Sequence, residues 1–342
     1  VKGAIQVSGG TFSSKVLPEY CATGFVPTEN ADGTFGVKVD TSVAEVNGKK
    51  YETLQEAIAA AQDGDTVKLL DNVDLTETLI IKDKAITLDL NGKTISNSTD
   101  IWNDSIYAWS LISVRDNGNL TIDDTAGGGT LKAKENDCFA LDVYAYDTKN
   151  VENTKLTINA GNYVSNVSAV YAFTGKVTIN GGHFSIQQLS SSNDYRFMLN
   201  CYDSSYTAGR AGFTVNGGTF ENFDPRNNAA EGANTSFVAE GVGVDADSTN
   251  GTFTAKPNMV AQIVDADGSS VAAYATLQAA VNAAKNGQTV KLLADTAEDI
   301  TIAANKRITL DLNGKTLTNK ADHTITVEAG ASLTINGEGT VD

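Results

Sequence analysis

The nonapeptide ITLDLNGKT occurs twice, at 86–94 and 308–316, and each copy ends a longer shared pattern. The first copy opens at Tyr51-Glu52-Thr53-Leu54-Gln55 and passes through GDTVKLL (64–70). The second opens at Tyr274-Ala275-Thr276-Leu277-Gln278 and passes through GQTVKLL (287–293). The offset is 223 residues from Tyr51 to Tyr274 and 222 from Asp89 to Asp311, so the copies are in register but for one residue. A long pattern repeated in this way makes the chain a repeat protein. Its ends fit the same scheme, because 7–40 (VSGGTF…ADGTFGVKVD) follows 215–256 (VNGGTF…TNGTFTAK) in order. The expected organisation is a tail of one module at 1–40, a complete module at 41–262 and the head of a third at 263–342, cut from a longer array.

A finer period runs inside the complete module. LTIDD (120–124), LTINAGNY (156–163), VTINGGHF (177–184) and FTVNGGTF (213–220) alternate apolar and polar residues, and LTINGEGT (333–340) adds one more in the head. Period-two alternation predicts strands, and the Asn-Gly and Gly-Gly pairs predict tight bends after them. Strands of one kind returning every 20 to 36 residues predict a solenoid whose turns stack in parallel. Two stretches break the pattern. Leu54, Ile58 and Ala61, then Gly64, and Leu277, Val281 and Ala284, then Gly287, have helical spacing and a stop signal. Short amphipathic helices are therefore expected at about 51–62 and 274–285, each covering the open end of a stack.

The succession of helix, VKLL strand, ITLDLNGKT, LTI strands with glycine turns, GGTF and a closing ADGTF hairpin resembles the tandem right-handed parallel β-helix (pectin-lyase-like) modules of large bacterial cell-surface, adhesin-like proteins. The resemblance covers nearly the whole chain and implies an all-β fold at the cell surface or outside the cell. It implies architecture rather than a reaction.

Charge and cysteine usage narrow the partners. With 42 acidic and 25 basic residues the net charge is −17, which repels phosphate backbones, so no nucleic-acid partner is expected. Apolar runs are short and interrupted, so no membrane insertion is expected in this segment. Val1-Lys2-Gly3 leads into a strand-like segment rather than a leader sequence. Cys21, Cys138 and Cys201 lack CxxC or His-rich spacing, which predicts neither a disulfide framework nor a zinc site. They read as small buried hydrophobes, with a Cys138–Cys201 bridge as the alternative. The string from Asp245 to Asn250 opens like a calcium loop, but Asn250 replaces the required glycine and Lys256 the bidentate glutamate. No metal and no cofactor is expected.

Two sets of side chains remain as candidate sites. Polysaccharide cleavage needs paired carboxyl groups, and Asp116, Asp142, Asp147 and Asp203 lie in or just after the middle strands (LISVRD, LDVYAYD, LNCYD). The competing reading is that these aspartates cap turns. The second set is aromatic: Tyr144 and Tyr146, Tyr171 and Phe173, and Tyr202 on successive middle strands, with Trp102, Tyr107 and Trp109 in the preceding loop. If Val143, Ala145, Val170, Ala172 and Cys201 point inward, alternation sends the rings outward, as a flat ladder suited to stacking on sugars. The opposite phase, or tyrosines that only brace the sheet, is the competing reading. His183 fills the GGTF slot held elsewhere by threonine, and His323 lies in a polar loop. The expected function is an adhesin-like structural module that binds a glycan or a host surface protein through the aromatic face and the loops 97–109, 133–138, 187–197 and 222–235, without catalysis. A polysaccharide-cleaving hydrolase or lyase and a ligand-free spacer are the alternatives, and head-to-tail self-association through an unfinished last turn is expected.

Overall fold

A computed structural model describes residues 5–189, 196–321 and 323–342. The chain is mainly β, with 43% strand against 10% helix, and most of its sheets are parallel. Three ladders organise the segment from Thr66 to Glu221. The first holds Thr66–Leu69, Ala85–Asp89, Asn119–Asp123, Lys155–Ile158, the second half of Val170–Ile179, and Ala211–Val215. The second holds Val73–Asp74, Thr94–Ser96, Thr130–Lys132, Asn162–Ser165, His183–Ile186 and Gly218–Glu221. The third holds Leu79–Lys82, Ser110–Arg115, Phe139–Tyr144, the first half of Val170–Ile179, and Leu199–Cys201. The chain visits the ladders in this order and returns one strand further along each time, a pattern compatible with a β-helix-like fold. The LTI-type segments are parallel neighbours, with Leu120 paired to Leu156, Leu156 to Val177 and Val177 to Phe213.

Alternation decides what lies inside. Ile81, Val114, Val143, Ala172 and Cys201 are partners in successive strands of the third ladder and are all buried. In the second ladder Tyr163, Phe184 and Phe220 stack at 4.8 and 5.0 Å with interplanar angles of 11° and 12°. Such contacts contribute about 0.5–1.5 kcal/mol per pair beyond burial. The asparagine that opens each tight turn forms a second ladder of a different kind. The Asn216 amide donates to Asn180 Oδ1 at 2.9 Å, Asn180 to Asn159 at 2.8 Å, and Asn159 to Asp123 at 2.7 Å.

The start of the stack is covered by more than a helix. Ala44–Val46 lies antiparallel on Thr66–Leu69 and turns through Asn47-Gly48 into Lys49–Tyr51. Asn47 and Gly48 have φ of 51° and 77°, the left-handed pair that a two-residue hairpin needs. The helix runs Leu54–Ala60, shorter than the spacing predicts, because Tyr51 belongs to the hairpin. Leu54, Ala57 and Ile58 enter the core. Thr53 Oγ1 accepts the Glu56 N–H at 3.2 Å, and Lys84 Nζ donates to the carbonyls of Ile58, Ala59 and Ala61 at 2.8, 3.4 and 3.0 Å. The second copy repeats this. Ala261–Val264 lies antiparallel on Thr289–Leu292, Thr276 caps Leu277–Ala283, and Lys306 donates to the carbonyls of Val281, Asn282 and Ala284 at 2.8, 2.9 and 2.7 Å. An ammonium on three terminal carbonyls satisfies groups that the helix leaves open and meets the negative end of its dipole. Lys84→Met is expected to lower stability by about 1–2 kcal/mol in urea unfolding, whereas an unchanged midpoint would show that water replaces the lysine without cost.

The apolar interior divides into two clusters, one from Ala44 to Ala255 and one from Ala261 to Leu317. The hairpins Phe25–Glu29 with Phe35–Val39, and Gly243–Asp247 with Thr252–Lys256, are both antiparallel. Phe12 bridges Phe35 as Phe220 bridges Phe253. At the far end, Val327, Ile335 and Val341 on the last strands of three short ladders are exposed.

Candidate aromatic site

The outer face of the third ladder carries the candidate site. Ile80, Ser113, Asp142, Tyr171 and Asn200 are successive partners, displaced by one residue from the inward column. Val143, Ala145, Val170, Ala172 and Cys201 are buried, and the rings of Tyr144, Tyr171, Phe173 and Tyr202 contact one another or the loop 97–109. That loop is fixed from below by Asp137, whose carboxylate accepts the Asn97 amide at 2.7 Å and the N–H groups of Ile101 and Trp102 at 3.0 and 3.2 Å. It places Trp102, Tyr107 and Trp109 over the strands. Asp104 Oδ1 accepts both indole N–H groups, at 3.0 Å from Trp102 and 2.9 Å from Trp109.

The rings form a tilted cluster rather than the flat ladder expected from alternation. Trp109 meets Tyr144 at 38°, Tyr107 at 84° and Tyr171 at 65°. Only Phe173 and Tyr202 lie face to face, 4.4 Å apart at 6°. The loop rings come from above the sheet rather than from its strands, and edge-to-face contacts suit their quadrupoles better than parallel sandwiches. Trp109 and Tyr144 are thereby buried, while Trp102, Tyr107, Tyr146 and Tyr202 keep 40%, 42%, 69% and 43% of their surface. Phe139 also belongs to the cluster, 5.2 Å from Trp102 and 5.5 Å from Tyr171. Sequence alternation hides it, since Phe139 shares the parity of the inward Leu141 and Val143. Leu111 and Ala140, also buried, break that parity at the start of their strands.

The four acidic candidates do not share a column. Asp142 is completely buried beneath the aromatic cover, with its carboxyl against the hydroxyls of Ser110 and, at 2.6 Å, Ser113. Burial pushes it up to about 6, against the opposing effects of the two serines and Arg115. Asp116 Oδ1 accepts the Asp147 N–H at 3.1 Å and the Asn150 amide at 3.4 Å, and Asp116 Oδ2 lies 3.6 Å from Lys82 Nζ. Asp147 caps a short 3-10 turn through the Lys149 N–H at 3.0 Å, and Asp203 opens the helix Asp203–Thr207. The structure thus brings Asp116 to the turn that Asp147 caps, while Asp142 lies within the strand Phe139–Tyr144.

The other singled-out groups are engaged locally. His183 Nε2 lies 2.7 Å from Glu221 Oε1, in the position that pairs with Thr219. Asp124 accepts the N–H groups of Gly92 and Gly129, both at 2.7 Å, and Asp245 pairs with Lys256. Among the described residues no group of three or more His, Cys, Asp or Glu side chains could hold a metal ion. Cys138 and Cys201 are buried free thiols that burial pushes up, and Cys21 is a half-buried free thiol. The loop 187–197 lies partly outside the described residues. Among them, no helix is long and apolar enough to cross a membrane. Comparison with family models, with curated proteins and with solved structures returned no match.

Proposed function

We propose that the chain is a section of right-handed parallel β-helix of the pectin-lyase-like kind, acting outside the cell as an adhesin-like repeat module that holds a glycan on the rim of the aromatic cluster. The fixed order in which the chain visits three parallel ladders supports the architecture. One observation carries the binding role. Both tryptophans of the chain are fixed by a single carboxylate, Asp104, while Trp102 and, elsewhere in the same cluster, Tyr107 and Tyr146 remain substantially exposed. A cluster built only to brace the sheet gains nothing from orienting exposed rings, whereas a saccharide site gains from rings already ordered before binding. The reading assigns no catalytic step to Asp116, Asp142, Asp147 or Asp203.

The test is an array of plant, mucin and bacterial oligosaccharides probed with the intact chain, Trp102→Ala and Tyr146→Ala. Exposed aromatic anchors of this kind are worth about tenfold or more in affinity, so each variant is expected to lose most of the signal on whichever oligosaccharides bind. An array without a binder, or binding indifferent to both substitutions, overturns the proposal.

A further inference from the structure

Tyr107 is the one residue of the rim in an unfavourable backbone conformation, with φ 55° and ψ 36°. Among the described residues, every other non-glycine residue with positive φ is Asn or Asp, the types whose short polar side chains tolerate the left-handed region. For a bulky ring this geometry persists only where the surroundings hold it. The Tyr107 N–H closes the 3-10 turn Asp104–Ile106 on the Asp104 carbonyl at 3.3 Å, Asn103 and Ala108 pair on either side, and the Tyr107 carbonyl meets a hydrogen-bond relay. Arg115 Nη2 donates to the Tyr107 carbonyl at 2.9 Å, Arg115 Nε donates to Ser113 Oγ at 3.0 Å, and Ser113 in turn lies 2.6 Å from Asp142 Oδ1.

Counting hydrogens along this relay fixes its state. The Ser110 hydroxyl has two acceptors in reach, the Ile112 carbonyl at 2.8 Å and Asp142 Oδ2, but one hydrogen to give. Ser113 accepts from Arg115, so its own hydrogen goes to Asp142 Oδ1. All contacts are made at once only when Asp142 Oδ2 carries a proton and donates it to Ser110, which then donates to Ile112. An ionised Asp142 leaves one of these two Ser110 contacts unmade and places a charge in a fully buried position.

We propose that Asp142 and Arg115 are positioning residues of the aromatic site, a neutral Asp142 completing the relay that holds Tyr107 in its left-handed conformation and so keeps the rim in its binding shape. This rests on the rim being the binding surface. The other titratable or charged groups on the elements around Asp142 are Lys82 and Asp116 at the strand ends, Tyr144 and Tyr171 on the same face, Lys176 further along the strand Val170–Ile179, and Asp100, Asp104 and Tyr107 in the covering loop. Burial raises both tyrosines, and it raises Asp142 to about 6, which puts the change of charge near neutral pH on Asp142.

The experiment uses the fact that Trp102 and Trp109 are the only tryptophans of the chain, so tryptophan emission of the intact protein reports this site without any saccharide. The wild type is expected to change its emission between about pH 5 and about pH 7. In Asp142→Asn the amide can donate to Ser110 and its oxygen accept from Ser113, as the neutral acid does. That variant is expected to lose the transition and to keep the low-pH spectrum throughout. Arg115→Gln is expected to give the altered spectrum at every pH, with far-ultraviolet dichroism confirming that the strands persist. A wild type flat across the range, or an Asp142→Asn variant that titrates like the wild type, overturns the relay. Because no saccharide is present, either result leaves the binding reading standing, and an array without binders leaves the titration unaffected.

Discussion

Gly175→Ala is expected to cost about 3 kcal/mol or more of stability, the combined effect of forcing a side chain into a disfavoured φ and into an occupied space. Gly175 sits within the strand Val170–Ile179, where the chain leaves the third ladder and enters the first. Its φ is 133°, and a Cβ there would overlap the Cγ1 methyl of Val143 and lie 2.9 Å from the Thr154 carbonyl oxygen. Val143 is an inward core residue of the neighbouring turn and Thr154 is buried, so neither can yield cheaply. Chemical denaturation should show a markedly lower midpoint. A midpoint near that of the wild type would mean that the corner between the two ladders is looser than the described packing.

The second large effect concerns pH. Asp142 is raised in the folded chain from 3.8 to about 6, so the folded state binds its proton more tightly than the unfolded state. The resulting stabilisation is complete below about pH 4 and is lost as pH rises through about 6, a change of about 3 kcal/mol at most. Asp142→Asn has no proton to lose. Its stability relative to wild type is expected to climb from near parity at about pH 4 to a clear excess at about pH 7.5. Asp65, Asp247 and Asp267 are lowered by hydrogen bonds, and Asp40, against its partial burial, is lowered by its hydrogen bonds with Lys50 and Ser42. They give the opposite slope, but equally in both proteins, so the difference curve isolates Asp142. A difference that stays constant with pH would refute the assignment.

The stacking was legible because it depends on period and on turns. Leu120, Leu156, Val177 and Phe213 recur in one alternating frame, each followed by Asn or Asp with glycine close behind, and they become direct partners. Alternation left either phase open for Val143, Val170 and Ala172, and their burial is what decides that they point inward. The cap was less legible, although Asn47-Gly48 between short alternating runs is a hairpin signal that the helical spacing after Tyr51 obscures. The site was legible only in composition. That Trp109 and Tyr144 are buried, that the rings tilt, and that Asp142 lies beneath them all depend on the loop 97–109 folding back. Asp137 makes that happen across 35 to 40 residues of chain, and no local pattern reports it. Tyr107 in a left-handed conformation could not be anticipated either, since the Arg115 guanidinium that donates to its backbone carbonyl comes from a strand eight residues on.

The most direct test of the binding account is amide hydrogen exchange of the intact chain with and without an oligosaccharide that it binds on the array. The account predicts slowed exchange in the loop from Ile101 to Trp109 and around Tyr146, with the rest of the stack unchanged. Slowing confined to another surface, such as the segment 222–231, or no local change at saturation, would contradict it.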